Sequence, residues 1–355
     1  MHQDMSIMRV LAKPAFCKKE SNPYTWLLNK TMENMDVEVY EFSIKQCLTK
    51  KYDIFHIHWP EWHLGNSKIF DAITKTIALL LLIALMRLRG TKIIWTVHNL
   101  RAHQTLYPIL ENGFWRIFTH QLNGYISLSK TGMKAAKDNF PNLRNIPGFV
   151  VPHHHYRRFY PNNLSFQKAR SALEISPSTK VLLFFGRIQP YKNVPELIRA
   201  FKQVANPNIM LYIVGSFNPH FLAFNEEVKR EAALDPRIKL NGEFISKENI
   251  QTYFNAANLV ICPFNEILNS GSALLALSFN RPVLVPLMGS LVELQQQVGK
   301  EWVFTYTGDI NSSKIEEALN WESNMPRSDR APLEGLDTEM MARKTIDVYH
   351  LISEK

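Results

Sequence analysis

Cysteine is scarce: Cys17, Cys47 and Cys262 are the only three in 355 residues. Their wide separation, odd count and lack of any Cys-x-x-Cys spacing exclude a disulfide framework and a zinc site, and fit a reducing cytoplasm. No Asp-x-Asp pair occurs, so the carboxylates that usually hold a divalent ion on a diphosphate are missing and neither metal nor cofactor is expected. The chain also lacks Gly-x-Gly-x-x-Gly and the Walker motif, which argues against an ordinary dinucleotide site or a P-loop. Long apolar runs are absent too. The most hydrophobic stretch, IALLLLIALM from Ile77 to Met86, has ten residues, against the roughly 20 that a spanning helix needs. It reads either as a helix buried against a sheet or as one lying in a membrane surface, with Lys75, Arg87 and Arg89 on anionic headgroups. The opening MHQDMSIMRVLAKPAF contains an acid and no sustained apolar stretch, so it does not read as a secretory signal.

What is present is enough apolar residue, 46%, for two cores, and a formal charge of +9 with pI near 9.3. That charge favours anionic partners, whether nucleotide phosphates, acidic lipid or nucleic acid. Apolar runs of strand length begin at Met8, Val37, Tyr52, Lys92, Gly124 and Gly148, with helical stretches between most of them. Alternation of this kind predicts a parallel, doubly wound α/β sheet. From Pro152 to about Ser178 the chain turns polar, as an interdomain connection would. The alternation then restarts with KVLLFFGR, IMLYIVGS, RIKLNGEF, LVICPF, RPVLVP and WVFTY, predicting a second doubly wound domain. The expected division is 1–160, 161–335, and a closing helix over 336–355 that packs back on the junction.

Three loops of the second half fall at carboxyl ends of predicted strands, where open α/β sheets bind ligands. One holds Gly186, Arg187 and Lys192, the second Gly215, and the third Glu266 and Asn269-Ser270-Gly271-Ser272. Ser270 is a natural N-cap, and the free amides behind it form an anion site. Arg187 and Lys192 supply a guanidinium fork and a point charge for phosphate. In the first half, His56, His58 and Glu61 close the third strand and His98 and Asn99 the fourth; strand alternation turns His56 and His58 the same way. The run His153 to His155 does not read as a metal site, because successive residues rarely converge on one ion.

FGRIQPYKNVPELIRAF and NSGSALLALSFNRPVLVP resemble the donor half of GT-B glycosyltransferases, whose two Rossmann-like domains face a cleft. NPYTWLLNKTM, YDIFHIHWPEW, TVHNLRAH and GKEWVFTYTGD are similar to the bacterial β-mannosyltransferases that extend lipid-linked exopolysaccharide intermediates, as in xanthan assembly. The resemblance implies an acceptor-binding first domain and a nucleotide-sugar-binding second one, with Arg187 and Lys192 on the diphosphate, Ser270 and Gly271 at the phosphate, and Glu266 near the donor sugar. Many retaining relatives carry a second Glu eight residues after the first; Leu274 stands there. The resemblance therefore implies inverting transfer of mannose from GDP-mannose to a lipid-linked glycan. The enzyme would sit peripherally on the cytoplasmic face of the inner membrane and need no metal. The base should come from the first domain, in the order Glu61, His58, His98. A UDP-sugar donor, a nucleotide-sugar epimerase of the same architecture and a basic nucleic-acid-binding protein are the competing readings; no nucleic-acid motif appears, and the last is disfavoured.

Overall fold

The computed structural model describes residues 7–65, 68–101 and 106–354. The first six residues, and Ala102 and His103 at the end of TVHNLRAH, lie outside the described residues. Twelve strands form where the apolar runs predict them. In the first half these are β1 Met8–Lys13, β2 Val37–Glu41, β3 Ile54–Ile57, β4 Lys92–Val97, β5 Gly124–Ser127 and β6 Gly148–Val150. In the second they are β7 Lys180–Phe185, β8 Ile209–Val214, β9 Ile238–Asn241, β10 Leu259–Ile261, β11 Val283–Pro286 and β12 Val303–Tyr306. All pairings within the two six-stranded sheets are parallel. Strands buried on both faces need apolar side chains throughout, and β3, β5, β10 and β11 are buried along their whole length.

The sheet orders locate the functional edge. The first runs β2-β1-β3-β4-β5-β6 and the second β12-β11-β10-β7-β8-β9. In each, the chain winds one way from a starting strand and then crosses to its other side. This creates a switch point between β1 and β3, and another between β10 and β7, and ligands bind at the carboxyl ends of strands flanking such points.

The chain divides into two units, Met1–His154 with Gly335–Lys355, and His155–Glu334. In the first, the closing helix Thr338–Ser353 packs on the helix Tyr24–Glu33, with Met341, Val348, Tyr349 and Ile352 in the same apolar cluster as Leu28 and Met32. In the second, Val194, Leu197, Ile198 and Phe201 of the helix Val194–Lys202 are buried together, the face their spacing predicts.

The apolar run belongs to a longer helix than its ten residues imply, Ile69–Leu88, with twenty residues and an uncharged stretch from Thr76 to Met86. By length and composition it could cross a membrane. Its position argues otherwise: it joins β3 to β4, which are hydrogen-bonded neighbours, and Ala72, Thr76, Leu79, Ile83 and Met86 are buried. Its other side, including Ile69, Phe70, Ile73, Ile77 and Leu81, is bare. The packed face is that of a helix buried against a sheet.

Candidate functional site

In the second unit the β7 and β10 loops bring a cation, a hydroxyl and a glycine together. β7 runs directly into Gly186, whose φ of +128° lies in the region that side chains avoid. Gly215, directly after β8, presses so close that a β-carbon on it would meet the Gly186 carbonyl oxygen at 2.3 Å. After Gly186 a 3-10 turn, Pro190–Lys192, aims Lys192 back at the strand end. A β-carbon at Gly186 would find Lys192 Nζ at 2.8 Å and Ser272 Oγ at 3.5 Å. Ser270 caps the helix Gly271–Ser278 by accepting from the Ala273 amide at 3.1 Å, leaving the preceding amides at the helix mouth.

Lys192 is only 7% exposed, and among the described residues no carboxylate pairs with it. Its ammonium lies over the Phe184 and Phe264 rings at 5.8 and 6.0 Å. Burial brings its pKa down to about 8; neighbouring Cys262 offsets this and Arg187 adds to it. A buried cation without a counter-charge is costly unless an anion arrives. Arg187 is exposed on the same loop, as is Glu266 on the β10 loop, and neither makes an ion pair among the described residues. Asn269 is half-buried beside Ser270. The structure thus groups Gly186, Gly215, Lys192 and Ser272 directly, with Ser270 and Gly271 adjoining them in the chain.

Two supports were not visible in the sequence. The Asn265 amide donates to the Tyr191 carbonyl at 2.9 Å, tying the two loops together. At the end of β11, Gly289 has φ +54° and lies so near the β10 loop that its β-carbon would meet the Ile267 carbonyl at 2.3 Å. The only signal for Gly289 is its place just after a predicted strand.

In the first unit, His56 is a packing residue: Nδ1 lies 2.6 Å from the Tyr349 hydroxyl and Nε2 2.7 Å from Thr96 Oγ1. His56 and His58 do face the same way, their rings 4.2 Å apart. His58 Nδ1 lies 3.1 Å from His98 Nε2, and the His98 ring stacks on Trp59 at 4.2 Å. Burial holds both imidazoles well below their ordinary range, so one neutral ring donates to the other. His153 and His154 pack around Tyr24 at 4.5 and 4.8 Å rather than around an ion site.

Glu61 lies beyond the end of β3, in a 3-10 turn, Pro60–Gly65. It is 5% exposed, and Oε1 accepts from Asn99 Nδ2 at 3.0 Å. Burial pushes its pKa up to about 7, against the pull of Asn99, its own backbone and the Lys13 ammonium; Glu111 adds a small push upward. That value suits a general base working near neutrality.

With this geometry in place, comparison with known proteins places the chain. Two parallel six-stranded sheets, each with a strand-end switch point, give it the GT-B fold, and its sequence matches make it a glycosyltransferase. Residues 179–319 match the family Glycosyl transferases group 1. Over 310 residues the chain is 29% identical to a GDP-mannose:glycolipid 4-beta-D-mannosyltransferase of Xanthomonas campestris pv. campestris, covering 86% of this chain and 82% of that one. Among solved structures it resembles sucrose-phosphate synthase of Thermosynechococcus elongatus, with a TM-score of 0.72 at 15% identity over 97% and 99% of the chains. It also resembles Anabaena HepE, solved with UDP-glucose, with a TM-score of 0.67 at 15% identity over 98% of each chain.

Proposed function

We propose that this enzyme moves mannose from GDP-mannose to a lipid-linked glycan with inversion and without a metal. The buried ammonium of Lys192 beside Gly186 and Ser272, with no carboxylate partner among the described residues, carries the reading, because it needs an anion and a nucleotide diphosphate supplies one. The acceptor oxygen attacks the anomeric carbon, the bond to the diphosphate oxygen breaks, and Glu61 takes the acceptor proton. Lys192, Arg187 and the Gly271 and Ser272 amides meet the charge left on GDP, an electrostatic role. Leu274 is buried and apolar, so that position cannot hold the ribose as a glutamate would. The Xanthomonas relative, named for GDP-mannose and glycolipid, supports the choice of donor and acceptor.

We further infer that the enzyme sits peripherally on the cytoplasmic face of the inner membrane. The bare face of Ile69–Leu88 is joined by the neighbouring helix Pro108–His120, where Ile109 and Ile117 are exposed. Lys75 and Arg87 on the first helix, Arg89 at its end and Arg116 on the second supply positive charge.

The decisive experiment offers purified enzyme GDP-mannose, UDP-glucose and UDP-galactose and follows release of nucleotide. GDP from GDP-mannose alone supports the reading; UDP release from a UDP-sugar overturns the donor. Lys192→Ala should weaken GDP binding by about 2–5 kcal/mol, as for removing one partner of a desolvated charge pair.

A further inference from the structure

Glu61 sits where the ends of β1, β3 and β4 come together. The β1–β3 register places Lys13 opposite Ile57, and the Lys13 carbonyl accepts the His58 amide at 2.9 Å. Lys13, the last residue of β1, is therefore a neighbour of the turn that carries Glu61. Asn99 comes from beyond β4 and fixes Oε1 of that carboxyl at 3.0 Å. That hydrogen bond fixes the direction in which the carboxyl points. An amide nitrogen can only donate, so Asn99 cannot itself take the acceptor proton.

We propose that Asn99 and Lys13 are positioning residues for the base, Asn99 aiming the Glu61 carboxylate and Lys13 standing beside it as the nearest cation. This rests on the reading of Glu61 as the base. The groups that face Glu61 are Lys13 from β1, Asn99 from beyond β4 and Glu111 from the helix Pro108–His120, with Glu61's own turn backbone. Glu111 opposes Lys13, and its Oε1 accepts from Trp115 Nε1 at 3.2 Å. Burial dominates for both partners, raising the carboxyl and lowering the ammonium; the carboxyl is held down first by the Asn99 hydrogen bond, then by its own backbone and then by Lys13, while the ammonium is raised chiefly by Glu61. Removing the lysine leaves the carboxyl facing burial and Glu111 with only Asn99 and its own backbone in support.

The test is the pH profile of GDP-mannose hydrolysis, in which water stands in for the acceptor hydroxyl and gives its proton to the same base. In the unaltered enzyme the rate should climb about tenfold per pH unit and level off near 7. Lys13→Met should move that rise upward and keep the plateau; Lys13→Arg should restore it. Asn99→Leu should move the rise further upward than the lysine change does and also lower the plateau about 10- to 100-fold. Calorimetric GDP affinity, a property of the second unit, should stay unchanged in each. Lys13→Gln and Asn99→Ser serve if the larger changes prevent folding. If Glu61→Gln abolishes hydrolysis while the Lys13 and Asn99 variants keep the normal profile, the positioning roles are overturned and the base stands. If Glu61→Gln hydrolyses normally, the base reading falls and takes this inference with it.

Discussion

Gly186 leaves open the space that Lys192 Nζ and Ser272 Oγ border, at 2.8 and 3.5 Å from where its β-carbon would be. Gly186→Ala fills that space and forces alanine to a φ of +128°. We expect GDP affinity to fall more than tenfold, with a loss of about 1–3 kcal/mol in stability from backbone strain. Calorimetry and thermal melting check the two effects separately. Normal GDP affinity in a folded variant would move the phosphate away from this loop.

Glu61→Gln keeps size and the contact with Asn99 but removes the base. Turnover should fall about 10²- to 10⁴-fold while donor affinity holds. Because the carboxyl titrates at about 7 and acts deprotonated, the residual rate should lose the rise through that pH. The reverse pattern, with donor affinity lost and turnover kept, would assign Glu61 to binding.

The buried imidazoles predict acid lability. His56 is held neutral down to about 3, and His58 is also well below its ordinary value. Unfolded imidazoles take up protons near 6.5, so the stability these rings contribute is present above that pH and is lost on acidification. Each contributes a slope of up to about 1.4 kcal/mol per pH unit. Glu61 runs the other way: its raised value favours the folded state below about 4.5 and that advantage is lost as pH rises through about 7. The sum still falls on acidification from 6.5 toward 4.5, and Glu61→Gln should make the fall steeper. Melting temperatures across this range are the measurement, and a flat profile would mean that the rings are solvated.

Binding to anionic vesicles should be strong at low salt and weak at high salt. Ile77→Ser with Leu81→Ser should reduce it without altering the melting temperature, since both side chains are exposed. Leu79→Ser should instead destabilise, because Leu79 belongs to the packed face. Vesicle binding unchanged in the double variant would place the contact on another surface.

The strands were legible because buried parallel strands are continuous apolar runs closed by turn residues, as in KVLLFFGR. Gly186, Lys192 and Ser270 were legible for the same reason: strand ends can be counted off the chain. What could not be read was contact between strand ends distant in sequence. Asn99 meets Glu61 across 38 positions and Tyr349 meets His56 across 293; both depend on strand order and helix docking, which periodicity does not encode. The helix Ile69–Leu88 was harder still, since a stripe that is apolar on every side does not say which side is covered.

The second unit is an insertion in the first: the chain leaves after His154 and returns at Gly335. On the ribosome, the second unit is made from one uninterrupted segment and can complete its core as soon as that segment emerges. The first must wait for the final stretch, which delivers Tyr349 to His56 and Ile352 to the side of Gly124. Translation therefore finishes the second unit first, and a nonsense codon in the last few turns would spare that unit's core while leaving the sheet that carries Glu61 uncovered.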